Sequence, residues 1–121
     1  MAQEHTKFKL FSKQYSSDES ISQLLNEIET WVKREKVAPK SIGVEFLEKS
    51  NAIVMSLGYR DDENCNIKLN KKLIKGFKLD SDYQKIEEAM SEATKEYEHI
   101  ICHELFITDT NDFHMIFMSQ Q

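Results

Sequence analysis

Two short apolar runs dominate the hydrophobic pattern of this chain. One covers residues 52–59 and the other residues 113–118, and both carry β-branched or aromatic side chains between turn residues. Side chains alternate across a strand, so apolar residues at successive positions predict a strand that is buried on both faces. We therefore expect these runs to be central strands that the rest of the chain covers.

Apolar residues at three- and four-residue spacing predict two amphipathic helices. The first helix carries Ile21, Leu24, Leu25, Ile28, Trp31 and Val32. The second carries Tyr83, Ile86, Ala89, Met90, Ala93 and Tyr97. Ser16 and Glu19 have capping-box spacing at the start of the first helix. Pro39 disfavours helical geometry just before it, so this helix should end by about Lys36.

Alternating polar and apolar residues predict the remaining strands. Phe8 and Leu10 would share the inner face of a strand over residues 7–11, and Ile42 begins an alternating stretch after Pro39. A strand over residues 100–107 would form a hairpin with residues 113–118. One further strand lies within residues 66–79, where residues 67–69 and 77–79 fit the alternation equally well.

The second half of the chain repeats the order of the first. A shift of 62 positions puts Ile21 on Tyr83 and Ile53 on Met115, although few residue identities match. The pattern predicts two tandem βαββ units, residues 6–60 and 66–119, within a single domain of residues 1–121. The expected fold is α+β, with a mainly antiparallel sheet of about six strands and both helices on one face.

Such a sheet would leave its second face apolar and uncovered. Val54, Met55, Ile116 and Phe117 place apolar groups on both sides of the two central strands. Either the sheet curls so that its halves cover each other, or a second copy docks on it. An open apolar face is a liability in a monomer and twofold symmetry is its commonest closure, so a homodimer is favoured.

Composition limits the class of protein. The chain has 121 residues with 40% apolar and 31% charged positions, which is typical of a folded domain. A net charge of −5 argues against a general nucleic-acid binder. Cys65 and Cys102 lack metal-site spacing and are interpreted as free thiols in a reducing compartment. With no signal peptide and no membrane span, a cytoplasmic location is expected.

The densest group of possible metal ligands is not expected to form a metal site. It comprises Glu98, His99, Cys102, His103 and Glu104. On a strand, two histidines four residues apart are roughly 13 Å apart at about 3.3 Å per residue, too far for one zinc ion. No metal and no cofactor is therefore predicted.

Four polar side chains near the apolar strands are candidates for binding a ligand: Tyr59, Cys102, His103 and His114. They would line a pocket if the protein were a small enzyme or a small-molecule binder. The alternative is that Cys102 packs as a small hydrophobic residue and that His114 is a hydrogen-bonded core or interface residue. No catalytic residue is assigned.

Residues 68–78 form a lysine-rich segment without acidic residues. Lys71, Lys72 and Lys75 are its candidates for holding an anion. The helix that follows is strongly acidic, so the simpler interpretation is a solvated loop whose charge that helix offsets.

No sequence signature identifies a reaction. A glycine-rich phosphate loop, a paired-histidine helix motif and a Gly-x-Ser-x-Gly elbow are absent from the sequence. The favoured hypothesis is a non-enzymatic homodimeric interaction or regulatory module that binds a protein or a small molecule. The alternatives are a small enzyme or ligand-binding protein with a pocket, and, more weakly, an anion or nucleic-acid binder that uses the lysine segment.

Overall fold

The computed structural model describes residues 5–61, 67–74, 83–108 and 113–120. In chain order its elements are β1 (Lys7–Gln14), α1 (Asp18–Glu35), β2 (Val37–Leu47), β3 (Ala52–Asp61), β4 (Ile67–Ile74), α2 (Tyr83–Thr94), β5 (Ile100–Ile107) and β6 (Phe113–Gln120). The order strand, helix, strand, strand therefore occurs twice. The strand that the sequence left open is β4, which contains residues 67–69. Residues 77–79 lie outside the described ranges.

The strands form two separate antiparallel sheets. The first sheet has the order β1-β3-β2 and the second has the order β4-β6-β5. The α+β class is confirmed, but the predicted single sheet of about six strands is wrong. β2 contacts β5 where the sheets meet, yet no ladder joins them within the described ranges. Both strands carry a register shift, at Pro39/Ser41 and at Ile100/Cys102, and such shifts leave residues unpaired and bend the edge.

The start of α1 differs by one residue from the prediction. Ser17 is the N-cap, and its hydroxyl accepts a hydrogen bond of 3.2 Å from the amide of Glu19. The amide of Ser16 instead donates to the hydroxyl of Ser20 at 3.0 Å. A second predicted cap, at Ser81, lies outside the described residues.

The end of α1 is confirmed, but Pro39 does not cause it. The helix ends at Glu35 because Lys36 adopts a left-handed conformation with φ of 54°. The amide of Lys36 then bonds to the carbonyl of Val32, which satisfies one carbonyl at the helix end. Pro39 lies within β2, where the missing amide coincides with the register shift.

The larger core lies around α1. The buried residues of α1 join inward residues of both sheets, including Ile53, Met55, Leu57, Leu69, Ile116 and Met118. α1 contacts β1, β2 and β4. One helix therefore packs against both sheets, and it requires a broad apolar stripe to do so.

A second core lies on the other side of the second sheet, between that sheet and α2. It contains Ile74, Ile86, Phe113, Met115 and Phe117. Along β6, Phe113, Met115 and Phe117 join this core, whereas Ile116 and Met118 join the core of α1. The expectation that both helices lie on one face is therefore wrong. β6 is apolar at successive positions and receives one helix on each face.

The first sheet is covered differently. Ile53, Met55 and Leu57 of β3 are at most 1% exposed and face α1. Val54 and Ser56, which point the opposite way, are half-buried.

Neither helix in the described part of the chain has the length and apolar character needed to cross a membrane.

Candidate functional site

The first sheet has one face that the described residues leave largely uncovered, and we call it the outer face. It is formed by alternate residues of three strands: Phe8, Leu10, Ser41, Gly43, Val54, Ser56 and Gly58. Phe8 is 70% exposed and Leu10 is 68% exposed. Large apolar side chains that lie side by side in solvent mark a candidate interaction surface. The sequence placed both residues on the inner face, which is wrong.

The outer face is bulky along β1 and flat along β3 and β2. Phe8 stands opposite Gly58 in the strand register. A Cβ atom on Gly58 would meet the Ser41 hydroxyl and would lie 3.4 Å from the Phe8 ring. A Cβ atom on Gly43 would lie 2.8 Å from the Ser56 hydroxyl. The two glycines therefore leave room for the Ser41 and Ser56 hydroxyls and, at Gly58, for the Phe8 ring.

A hollow of about 340 Å³ lies on the flat part of the outer face. Its lining residues are Leu10, Gly43, Val44, Glu45, Val54, Ser56 and Glu104. Leu10 forms one side of the hollow and the two carboxylates lie toward β2 and β5. The hollow is large enough for one or two side chains of a docking partner.

The equivalent face of the second sheet is covered. Leu10 stands opposite Ser56, and Leu69 stands in the same way opposite Met118. Leu69 is only 6% exposed, because α1 lies over it and the Glu29 carboxylate accepts a 2.7 Å hydrogen bond from its amide. The two sheets thus differ in that α1 covers this face in one and nothing described covers it in the other.

A second hollow, the edge groove, lies between β1 and α1. Its volume is about 390 Å³, and its lining residues are Phe11, Asn26, Glu27, Thr30, Trp31 and Arg34. The Trp31 ring meets Phe11 edge-on at 5.8 Å between centroids and meets Tyr59 at 5.1 Å. These contacts fix the indole, and its exposed part forms an apolar wall of the groove.

β1 is locally basic in a chain of net charge −5. The Lys7 amine lies 2.7 Å from the Asp61 carboxylate. The hydrogen bond to Asp61 raises the pKa of the Lys7 amine above its usual value. Lys13 lies 3.0 Å from Glu27. Lys9 has no ion-pair partner within the described ranges. It therefore offers its charge to a ligand beside β1.

A buried polar cluster joins the start of α1 to the second sheet. His114 is fully buried, and its Nε2 lies 3.2 Å from the Thr108 hydroxyl and 3.7 Å from the Asp18 carboxylate. The Tyr15 hydroxyl lies 3.3 Å from that carboxylate and 3.4 Å from the Thr108 hydroxyl. Phe106 stacks on the imidazole at 5.3 Å.

The cluster does not have the geometry of a catalytic triad. In a triad the carboxylate orients one imidazole nitrogen while the nucleophile contacts the other. Here Asp18 and Thr108 both approach Nε2 of His114. Thr108 is only 5% exposed, so its hydroxyl has little access to a substrate. The cluster instead connects α1 to β6 through polar contacts inside the core.

The four residues expected to line a pocket lie in different surroundings. Tyr59 packs on Trp31, His114 lies in the buried cluster, and His103 is exposed on β5. Cys102 is half-buried beside the backbone of Ile42. None of the four lines the outer-face hollow or the edge groove.

The environment of Cys102 does not favour a reactive thiolate. Burial raises the pKa of its thiol, a hydrogen bond with the backbone of Ile42 lowers it, and the charge of Glu104 raises it, with a net upward shift. The thiolate is the nucleophilic form, so this thiol is less reactive than an exposed one.

The lysine segment is a strand over much of its length. Lys71 faces the side of α1, where its amine donates a 3.2 Å hydrogen bond to the Asp18 carbonyl. Lys72 stands opposite Met115 and therefore points to the side of α2. Lys75 lies outside the described residues. Lys71 and Lys72 thus point to opposite faces of β4 and do not converge on one anion.

The four residues expected at a dimer interface differ in their exposure. Met55, Ile116 and Phe117 are fully buried inside the chain. Val54 alone of the predicted four reaches the surface, on the outer face.

Within the described ranges, no three His, Cys, Asp or Glu residues lie close enough together to hold a metal ion.

Sequence reasoning missed Phe8, Leu10 and Trp31 as surface residues. The alternation of β1 was recognised, but lysines occupy the side that packs on α1, so polarity alone indicated the wrong side.

Comparisons with models of known families, with curated proteins and with solved structures found no match for this chain.

Proposed function

We propose that this protein is a non-enzymatic interaction module that forms a homodimer through its outer face. The single observation that carries the proposal is the exposure of Phe8 and Leu10, at 70% and 68%, beside a floor of glycine and serine. The corresponding face of the second sheet is covered by α1. A second copy would give the first sheet a similar cover.

The outer face is self-complementary in shape. A twofold axis parallel to the strands would set β1 of one copy over β2 of the other, at the same level of the register. Leu10 would then lie over Gly43 of the second copy, where the hollow is, and Phe8 would lie over Ser41. Isologous dimers need such a match of one patch with itself, and aligned sheets pack in this way about 10 Å apart.

The size of the face predicts a weak dimer. Three strands at about 4.8 Å spacing and eight residues at about 3.3 Å rise give a flat footprint of roughly 380 Å² on each copy. Interfaces below about 1,200 Å² in total belong to weak and transient complexes. The dimer should therefore be weak and dissociate on dilution.

The test is sedimentation velocity over a hundredfold range of protein concentration. The sedimentation coefficient should rise with concentration for the natural chain and stay at the monomer value for Leu10→Glu. Tyr83→Glu is the matched control, since Tyr83 is 61% exposed but lies on α2, and it should dimerise normally. A natural chain that stays monomeric at every concentration, or a dimer that Leu10→Glu leaves intact, would refute the proposal.

We also propose that the two halves are tandem βαββ units and that the protein acts in the cytoplasm. The repeated element order, and the middle position of the last strand of each half in its sheet, support the first. The low number of cysteines, two, supports the second.

A further inference from the structure

We propose that the free edge of β1 binds an extended peptide segment of a partner, acidic and apolar in character, as an added strand. This inference depends on the protein being an interaction module, but not on its self-association. The site is the edge of β1 together with the edge groove, and it shares Leu10 with the outer-face hollow.

The edge of β1 is available for strand pairing. β1 has eight residues and stands at the end of its sheet, with β3 as its one strand partner in the described chain. In an antiparallel pair, alternate residues direct their N–H and C=O groups away from the partner strand. An unpaired row of such groups is a template for an added strand, and main-chain hydrogen bonds supply the affinity.

The edge groove would give an added strand its specificity. Phe11 points to the side of α1, so a side chain opposite Phe11 in an added strand enters the groove beside it. There it meets the exposed part of Trp31, whose ring is already fixed by Phe11 and Tyr59. A volume of about 390 Å³ accommodates one large apolar or aromatic side chain.

The neighbouring positions of β1 define the rest of the peptide. Lys9 lies two residues before Phe11 on the same side of the strand and has no ion-pair partner within the described ranges. An acidic residue opposite Lys9 would pair with it. Between these positions, Leu10 is 68% exposed on the other side, and an apolar residue opposite it would cover it. Three consecutive peptide positions are thus specified: acidic, apolar and aromatic.

A second copy of β1 fits this edge less well than an acidic peptide. Two copies of β1 could pair as antiparallel strands related by a twofold axis. With the axis at Lys9, Lys9 of one copy lies opposite Lys9 of the other. Centring on Leu10 sets Lys7 opposite Lys13, and centring on Phe11 sets Lys9 opposite Lys13. Like charges directly opposite each other are destabilising. The charge pattern therefore favours a partner that brings carboxylates.

Trp31 is the single tryptophan of the chain and reports directly on the edge groove. The probes are two blocked heptapeptides, Thr-Val-Glu-Val-Phe-Val-Thr and its reverse, Thr-Val-Phe-Val-Glu-Val-Thr, which present the same side chains to a parallel and to an antiparallel strand. One of them should shift Trp31 emission to shorter wavelength in a saturable titration. The titration is run with 1 µM protein, and sedimentation reports the oligomeric state at that concentration.

Two control peptides separate strand addition from nonspecific adsorption. N-methylation of the alternate residues whose amides face β1 keeps every side chain, but it removes those N–H donors and keeps the two backbones apart, so it should abolish binding. Replacement of the glutamate by lysine should weaken binding at least tenfold. No change in emission up to 1 mM of either heptapeptide, or equal binding of the N-methylated form, would overturn the proposal.

A charge exchange tests the assignment of Lys9. Lys9→Glu should weaken binding of the glutamate peptide at least tenfold and should restore binding of the lysine peptide. Lys85→Glu makes the same charge change at an exposed site on α2 and should bind like the natural chain. An equal loss of affinity for the glutamate peptide in both variants would mean that net charge causes the loss, and it would overturn the Lys9 contact. Peptide binding with no dimer, or a dimer with no peptide binding, would separate this inference from self-association.

Discussion

The two sheets of this protein share a strand arrangement and differ in how their faces are covered. Each sheet has three antiparallel strands with the last strand of its half in the middle. In the second sheet, α1 covers one face of β6 and α2 covers the other. In the first sheet, α1 covers the inner face, and none of the described residues covers the outer face. The difference shows that one helix shared between two sheets leaves one face of the first sheet without a helix over it in the described part of the chain.

The two helices show the same asymmetry. α1 buries Ser20, Ile21, Leu24, Leu25, Ile28 and Val32, whereas Ile86 is the buried residue of α2 among those described. A helix that packs between two sheets needs apolar residues around much of its circumference, and a helix that covers one face needs a narrow stripe. Apart from Tyr83, which is 61% exposed at the start of the helix, the exposed residues of α2 are polar, so α2 is poorly suited to cover the outer face of a second copy.

The largest expected effect compares one substitution on the two sheets. Phe117 is fully buried on β6 and meets Tyr97 at 4.9 Å, whereas Phe8 is 70% exposed. Phe117→Ala should lower the free energy of unfolding by about 3–5 kcal/mol, because it leaves a cavity between β6 and α2. Phe8→Ala should change it by less than about 0.5 kcal/mol, as exposed sites usually do.

Urea denaturation of both variants at a monomeric concentration measures this difference. The shared Phe→Ala change makes each variant the control for the other. Equal losses of stability would mean that Phe8 is covered in solution even in the monomer, which would remove the basis for an open outer face.

Much of the fold follows from local pattern. The apolar runs at 52–59 and 113–118 became the middle strands β3 and β6, and both helix stripes were located. The division into two sheets did not follow, because it depends on how β2 and β5 meet at their register shifts. Apolar residues on both faces of β6 correctly indicated two covers. They did not reveal that the second cover is a helix of the same chain.

The candidate site was less accessible to sequence reasoning. Phe8 and Leu10 lie on a strand that alternates with lysines, and lysine stems can pack on a helix while their amines reach water. The apolar side of β1 was therefore taken as the buried side. Trp31 belongs to a helix stripe, and its position at the groove depends on β1, which is remote in sequence.

A smaller effect concerns α1, which both sheets share. The Ser17 hydroxyl satisfies one amide at the start of α1, so Ser17→Ala should lower the free energy of unfolding by about 1 kcal/mol. Ser91→Ala, at an exposed position inside α2, is the matched control and should be near neutral or slightly stabilising.

Thermal or urea unfolding monitored by circular dichroism checks the Ser17 prediction. The loss should appear as one cooperative transition, because α1 packs against both sheets. Two separate transitions in Ser17→Ala would mean that the second sheet and α2 hold together without α1, and the description of α1 as the shared element would then be wrong.

The smallest expected effect lies where the two sheets meet. Cys102 on β5 is half-buried beside the Ile42 backbone of β2, and burial is the main cause that raises the pKa of its thiol. The folded chain therefore keeps this proton more tightly than the unfolded chain. Its contribution to the free energy of unfolding is complete below the pKa of the unfolded thiol and is lost as the pH rises through the pKa of the folded thiol.

Stability should therefore fall more between pH 7 and pH 10 in a chain that carries Cys102 than in one that lacks it. The comparison is made between Cys65→Ser and Cys65→Ser with Cys102→Ala, because lysines and tyrosines contribute equally to both and cancel. Urea midpoints at the two pH values give the difference. Identical losses in the two chains would mean that the Cys102 thiol is as solvated as in the unfolded state, and that β2 and β5 do not exclude water where the sheets meet.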